Sequence, residues 1–319
     1  MREKEGLKAN VDLKSKFTGA LIGSAVGDAL GAPLEGWSME RVGSMYGEGK
    51  GWKMIYGRYT DDTEMMIGVA ESLIEHKGFN GADMARTFIQ NYDARRGYSP
   101  WTPEALQRIR EGESWEEASK ELFGGKGSYG NGAAMRIAPI GLLYYDNADK
   151  LREIAHKSSH ITHAHELGIE GAALQAFSIA LAVRGQKAGM VSELHEFVKN
   201  EVYKEKLREI ATLLQRETTK KEIIAELGNG EAAFNSVPTA LYSFLCFDNF
   251  EESMVYAVSL GGDTDTIGAM TGAISGAYYG EGAIPNDWVE KLEKGEKGRS
   301  YIKRLAEELY HLKIRNPLG

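Results

Sequence analysis

Apolar and small residues recur along this chain three and four positions apart, the spacing of helix faces. That pattern predicts helices over about 14–30, 61–76, 80–92, 103–110, 114–122, 132–145, 149–159, 163–184, 191–214, 219–226, 234–247, 250–259, 264–279 and 298–312. Alternating apolar and polar positions, the mark of a half-buried strand, are almost absent. The breaks between helices are short, no low-complexity linker interrupts them, and no fixed-period repeat is present. The expected class is all-α: one compact orthogonal helical domain of a dozen or more helices over 13–319. Ahead of it, "MREKEGLKANVD" (1–12) is charged and aperiodic, and reads as a frayed terminus.

Two of these helices carry glycine stripes. Gly19, Gly23, Gly27 and Gly31 recur every four residues, as do Gly268, Gly272 and Gly276. Each glycine costs a helix up to about 1 kcal/mol relative to alanine. A whole stripe is therefore expected where another helix backbone packs very close, and the two striped helices are natural partners.

Length and composition narrow the possibilities. The chain has 319 residues, 42% of them hydrophobic, enough for a sizeable core. Its net charge of −8 gives no support to a nucleic-acid-binding surface. The single cysteine, Cys246, excludes an intrachain disulfide; it reads as a small core residue in a reducing, cytoplasmic setting. The run "FTGALIGSAVGDALGAPL" (17–34) resembles a signal or membrane segment, but it holds Asp28, whose charge is costly in hydrocarbon. It is read as a buried helix, with no membrane partner expected.

Acidic pairs open two of the predicted helices. Thr60-Asp61-Asp62-Thr63 precedes one amphipathic run, and Asp263-Thr264-Asp265-Thr266 precedes the other. Helix capping explains one acid per helix, with the helix dipole contributing about 0.3–1 kcal/mol. It does not explain two at each. Four carboxylates with neighbouring hydroxyls are hard oxygen donors that suit Mg²⁺ or Mn²⁺ better than zinc. The sequence alone leaves open whether the two clusters meet.

A glycine-rich stretch, "FGGKGSYGNGAAMRIAPIGLL" (123–143), contains a G-x-G-x-x-G pattern. A helical pattern precedes it where a dinucleotide fold requires a strand, and the Walker pattern also fails because Gly127 follows Lys126. What remains is either a flexible loop or a turn whose backbone N–H groups could receive phosphate. Histidines 156, 160 and 163 would share one face of a continuous helix, which keeps a zinc site open.

Five blocks together resemble the ADP-ribosylglycohydrolase family: "GALIGSAVGDALGAPLE" (19–35), "YTDDTEM" (59–65), "GKGSYGNGAAMR" (125–136), "SSHITHAHELGIEGAALQA" (158–176) and "SLGGDTDTIGAMTGAISGAYYG" (259–280). They follow the family's order, and the third and fourth look most like its serine-linked and poly-ADP-ribose branch. The resemblance implies an all-α fold, a centre of two Mg²⁺ (or Mn²⁺) ions, and an ADP-ribosylated protein or ADP-ribose polymer as substrate. It implies Thr60, Asp61 and Asp62 as ligands to one ion, and Asp263, Asp265 and Thr266 to the other, with Asp265 bridging. By the same resemblance Glu35 is catalytic, as acid or base. Gly127, Ser128, Tyr129, Gly130 and Asn131 surround the diphosphate and distal ribose, and His163 touches substrate. Asp28 receives no role beyond buried cap or supporting partner. A monomer is the family-based expectation.

Three other readings compete. An arginine-directed hydrolase of the dinitrogenase reductase-activating type would share the metal site. A family member without catalysis would keep only binding or structure, although the four aspartates and Glu35 are all present. A magnesium phosphohydrolase would use the aspartate pairs without any family link.

Overall fold

The computed structural model describes residues 11–47 and 51–315. Among them the secondary structure is helical throughout, without a strand longer than an isolated bridge. In chain order the helices are α1 (Leu13–Gly31), α2 (Met39–Tyr46), α3 (Asp61–Glu75), α4 (Gly81–Asn91), α5 (Trp101–Arg110), α6 (Leu122–Gly125), α7 (Gly132–Met135), α8 (Ala138–Leu143) and α9 (Ala148–Ser159). They continue with α10 (Glu166–Val183), α11 (Met190–Phe197), α12 (Glu201–Leu213), α13 (Lys220–Glu226), α14 (Ala233–Leu245), α15 (Phe250–Ser259), α16 (Thr264–Tyr279), α17 (Asn286–Lys291) and α18 (Arg299–Arg315). The all-α expectation is met.

The glycine stripes pack against each other, α1 on α16. A Cβ added at Gly19, Gly23 or Gly27 would lie closer than 3 Å to the carbonyl of Gly276, Gly272 or Gly268 respectively. At Gly31 it would meet the Thr264 carbonyl and the Asp265 amide, also inside 3 Å. Only glycine allows two backbones this near, so the helix-propensity cost is offset by close backbone packing. α10 is mostly apolar and buried from Gly168 to Val183, as expected of a helix in the middle of a domain; its buried Glu170 and Gln175 are paired, with Arg152 and with the Met270 carbonyl. The apolar segments Leu13–Leu34 and Glu166–Val183 are long enough to cross a membrane, yet 89% of the apolar 18-residue window in each is buried inside the fold.

Several boundaries differ from the sequence pattern. Residues 114–122 form turns rather than a helix, and α6 is a single turn in which Phe123 (φ 55°) and Gly124 (φ 68°) are left-handed. The predicted 132–145 helix is broken at Arg136–Ile137, ahead of Pro139, and 191–214 is broken at Val198–Asn200. Asn200 caps the second piece with its side chain. Residues 163–165 lie outside α10, because His165 is its N-cap. The short helices α2 and α17 were missed, too brief to show a period. Cys246 is half-buried rather than in the core, and burial pushes its thiol up to about 11, an unreactive value. Of the frayed 1–12 segment, 1–10 lie outside the described residues; Asp12 is the N-cap of α1.

Candidate active site

The beginnings of α3 and α16 face one another across one cavity of about 370 Å³. Its walls include Glu35, Asp61, Asp62, Asp263, Asp265 and Thr266, with Ser128, Tyr129, Gly130, Asn131 and His163 opposite. Residues from five separate sequence blocks thus come together.

At α3, Thr60 is the N-cap, its hydroxyl accepting from the Asp62 N–H (3.4 Å) and donating to Asp62 Oδ2 (3.1 Å). The role of Asp28 is now clear. It is fully buried on α1 and accepts from Thr60 N–H (2.9 Å), Thr63 N–H (3.1 Å) and the Thr63 hydroxyl (2.5 Å). One buried carboxylate therefore replaces missing helical partners for two N–H groups at the α3 start. Burial raises its pKa to about 6, against the pull of those hydrogen bonds.

The start of α16 is held by backbone instead. Gly261 (φ 68°) and Gly262 (φ 76°) are left-handed, and Gly262 exchanges hydrogen bonds with the turn after Glu35: its N–H donates to Trp37 O and its carbonyl accepts from Gly36 N–H, both at 2.8 Å. Asp263 N–H donates to Asn229 O (2.8 Å). Asn131 joins this wall to the glycine loop, its Nδ2 donating to Asp263 Oδ2 (2.6 Å) and Ser236 Oγ (2.9 Å). The loop is itself stitched to the α14 lead-in, with Asn131 N–H to Glu231 O (2.9 Å) and Ala233 N–H to Tyr129 O (3.0 Å).

The acids raise one another's pKa values. Asp61 is raised to about 8 by burial first, then by Asp28, Glu35 and Asp263. Asp62 and Asp265 are pushed well above the carboxylate range by burial, with Asp265 feeling Asp62 ahead of its neighbour Asp263. Glu35, at the exposed lip, is raised by desolvation and by the charges of Asp263 and Glu231. Among the described residues no lysine or arginine lines the cavity, and Asp62 Oδ1 is buried without a hydrogen-bond partner. Among the described residues, no three acidic, histidine or cysteine side chains close on one point as a ready cage. The donor set nonetheless fits hard divalent cations: uncompensated carboxylates, an orphaned oxygen and a threonine hydroxyl in one hollow.

Two expected site residues are not on the cavity wall itself. Thr60 lines the adjoining hollow while its hydroxyl stays hydrogen-bonded to Asp62 Oδ2, and Gly127 packs against the Ala164–His165 backbone. The zinc reading fails geometrically. α9 ends at Ser159, the chain turns, and His163 enters the acidic cavity while His156 and His160 line a different depression near Glu170. His163 is held neutral, lowered to about 3 by burial and by the Arg136 charge, with Nδ1 on Thr162 Oγ1 (2.8 Å).

The structure adds residues that the motifs did not supply. Trp101 and Phe123 touch at the cavity mouth, ring centroids 4.3 Å apart, each about 40% exposed: 41% and 40%. Glu231 and Gly97 also line the cavity. Arg136 is fully buried behind it, donating to Ser158 O (3.2 Å) with its guanidinium over Phe88. Phe123 and Arg136 flank the glycine motif in sequence; Trp101, Glu231 and Gly97 carry no local signal.

The family model for ADP-ribosylglycohydrolase matches residues 9–318. The human ADP-ribosylhydrolase ARH3 (Homo sapiens) is 35% identical, covering 89% of this chain and 90% of its own. The Xenopus tropicalis ADP-ribosylhydrolase ARH3 is 37% identical over 86% and 90%. An uncharacterized protein of Archaeoglobus fulgidus is 35% identical over 95% and 98%. A solved structure titled "ADP-ribosylglycohydrolase-related protein complex" superposes with a TM-score of 0.74 at 30% identity, covering 94% of this chain and 98% of that one. The chain is an all-α glycohydrolase belonging to the ADP-ribosylglycohydrolase family.

Proposed function

We propose that this protein hydrolyses the bond between C1″ of the distal ribose of ADP-ribose and its acceptor, with serine-linked and polymeric ADP-ribose as preferred substrates. The observation that carries the reading is the pooling of Glu35, both acidic helix starts and the glycine loop around one cavity. The similarity to the ADP-ribosylhydrolases ARH3 supports it.

Two Mg²⁺ (or Mn²⁺) ions are the proposed cofactors, held by Asp61 and Asp62 with Thr60 on one side and by Asp263, Asp265 and Thr266 on the other. Bound there, they supply positive charge that offsets the acids and fixes ribose hydroxyls. The chain's own residues do the rest. Asn131 orients Asp263 through its 2.6 Å hydrogen bond. His163, neutral and anchored through Nδ1, keeps Nε2 beside Gly130 and Gly132 for a substrate hydroxyl. Phe123 and Trp101, touching at the mouth, offer rings to the adenine, while Tyr129 belongs to the loop around the diphosphate and distal ribose. Glu35 stands at the lip with a raised pKa, suited to proton transfer. Water adds its oxygen to C1″ and passes a proton to Glu35. The C1″–acceptor bond breaks, its electron pair leaves on the acceptor oxygen, and that oxygen takes up the proton. Such a reaction passes through an oxocarbenium-like state that nearby carboxylates stabilise.

The test is release of free ADP-ribose from matched peptides modified on serine or on arginine, with Mg²⁺ and then with EDTA. EDTA-sensitive release from the serine peptide is expected. Release from the arginine peptide alone would reassign the linkage, and release of inorganic phosphate would replace glycoside hydrolysis with phosphohydrolysis.

A further inference from the structure

A second hollow adjoins the acidic cavity on its catalytic side. Ala32 and Pro33, just before Glu35, form part of its wall, and it shares Gly97 with the cavity. Thr60, next to Asp61, lies on the boundary. Phe123 and Trp101, at the proposed adenine end, take no part in it. The hollow therefore adjoins the cavity on the side of Glu35, away from Phe123.

Its chemistry is opposite to that of the cavity. Arg58, Arg95 and Arg96 line it with Tyr56 and Tyr59, and among the described residues no carboxylate does. Arg95 is matched by Asp93 at 2.8 Å, and Arg96 by Glu293 at 2.8 Å while its guanidinium covers the Tyr59 ring. Arg58 is different. It is exposed, its Nη2 donates to the Arg95 carbonyl (2.8 Å), and it has no carboxylate partner among the described residues. Tyr56 beside it is 73% exposed. An unmatched arginine and an open aromatic ring, in a chain of net charge −8, stand at the exit of an acidic cavity.

We propose that this hollow is an acceptor subsite that binds the next adenosine diphosphate unit of an ADP-ribose polymer, its diphosphate on Arg58 and its adenine on Tyr56. The proposal rests on the reading of the neighbouring cavity as the cleavage site. Guanidinium pairs with phosphate oxygens through parallel, charge-assisted hydrogen bonds, and an exposed ring stacks on any base. A single ADP-ribose on a serine side chain has no second diphosphate to place there. The subsite thus favours cleavage within a polymer over removal of the last unit.

The experiment compares wild type, R58Q, R58E and Y56A on purified ADP-ribose polymer and on a serine-linked mono-ADP-ribosyl peptide. Expected is a fall in kcat/KM on polymer of about tenfold for R58E, less for R58Q and Y56A, with the peptide rate unchanged. Added salt should narrow the polymer gap between R58E and wild type. Equal losses on both substrates, or none on either, would overturn the proposal. Should wild type cleave neither substrate, the function reading fails on its own. Polymer binding by fluorescence anisotropy then decides: weaker binding by R58E supports the subsite, and equal binding removes it.

Discussion

The beginnings of α3 and α16 carry nearly the same residues, Thr60-Asp61-Asp62-Thr63 and Asp263-Thr264-Asp265-Thr266, and are held in place by different means. α3 hangs from a side chain: Asp28 reaches across from α1 and gathers Thr60 and Thr63. α16 hangs from backbone: two left-handed glycines, the Trp37 carbonyl and the Asn229 carbonyl fix its first turn. The comparison teaches that placing repelling acids together takes a rigid support behind each, and that a carboxylate or a glycine turn can serve. The supports should fail differently.

Asp28→Ala should have the largest effect. It leaves the buried N–H and hydroxyl donors of Thr60 and Thr63 without their acceptor, at a cost of about 3 kcal/mol or more. Chemical denaturation should show the loss, and activity should fall with it. Gly262→Ala attacks the other support. Its φ of 76° disfavours alanine, and the new Cβ would press on the Asn229 carbonyl, closer than 3 Å. A loss of about 2 kcal/mol is expected by the same method. A stability unchanged in either variant would remove the matching half of the comparison.

The pH dependence sharpens it next. Asp28 and Asp61 titrate in the fold at about 6 and about 8, above the unfolded aspartate value of about 3.9. Raised acids add stability that is complete below the unfolded value and is lost as pH rises through the folded one. His163, lowered to about 3, tilts the other way, but its contribution is complete above about pH 6.5. The metal-free protein should therefore melt at lower temperature as pH rises from about 6.5 to 8.5. Saturating Mg²⁺ should flatten that slope. A flat profile in EDTA would contradict the repulsion.

Smaller stability changes accompany the acids themselves. Asp265→Ala removes a buried acid that must take up a proton on folding, a gain larger than the loss of its hydrogen bond from Thr266 N–H, so metal-free stability should rise, by about 1 kcal/mol. Activity and bound metal, measured by elemental analysis, should be lost. Glu35→Gln, at the exposed lip, should leave melting unchanged and ADP-ribose binding intact while turnover drops about 10²-fold or more. Full turnover in that variant would take Glu35 out of the reaction.

Much of this was legible in the chain. The pairing of α1 with α16 followed from the glycine stripes, because only close backbone approach makes such a stripe stable. The acidic clusters were legible because capping accounts for half of them. What stayed hidden depends on contacts between distant segments. Asp28 looked like an odd charge in an apolar helix until Thr60 and Thr63 were seen around it. The His156-His160-His163 face dissolved at the turn after Ser159, which no periodicity marks. Residues 114–122 have helical spacing, yet the segment ends at Phe123 in a left-handed turn set by its tertiary surroundings. Trp101 meets Phe123 through the path of the chain after α4, a matter of tertiary topology alone.

The last contact of the glycine seam, Gly31 against the backbone of Thr264 and Asp265, has a bearing on motion. It ties one wall of the cavity to the most tightly interlocked pair of helices in the molecule. Amide protons there should exchange with solvent only when the whole protein opens. The mouth is made instead from Gly97, Ser99 and Pro100 on the connection ahead of α5, from the first turn of α5 and from Phe123 in its left-handed turn. Amides of the rim should therefore exchange faster than those of the seam, which hydrogen exchange would measure.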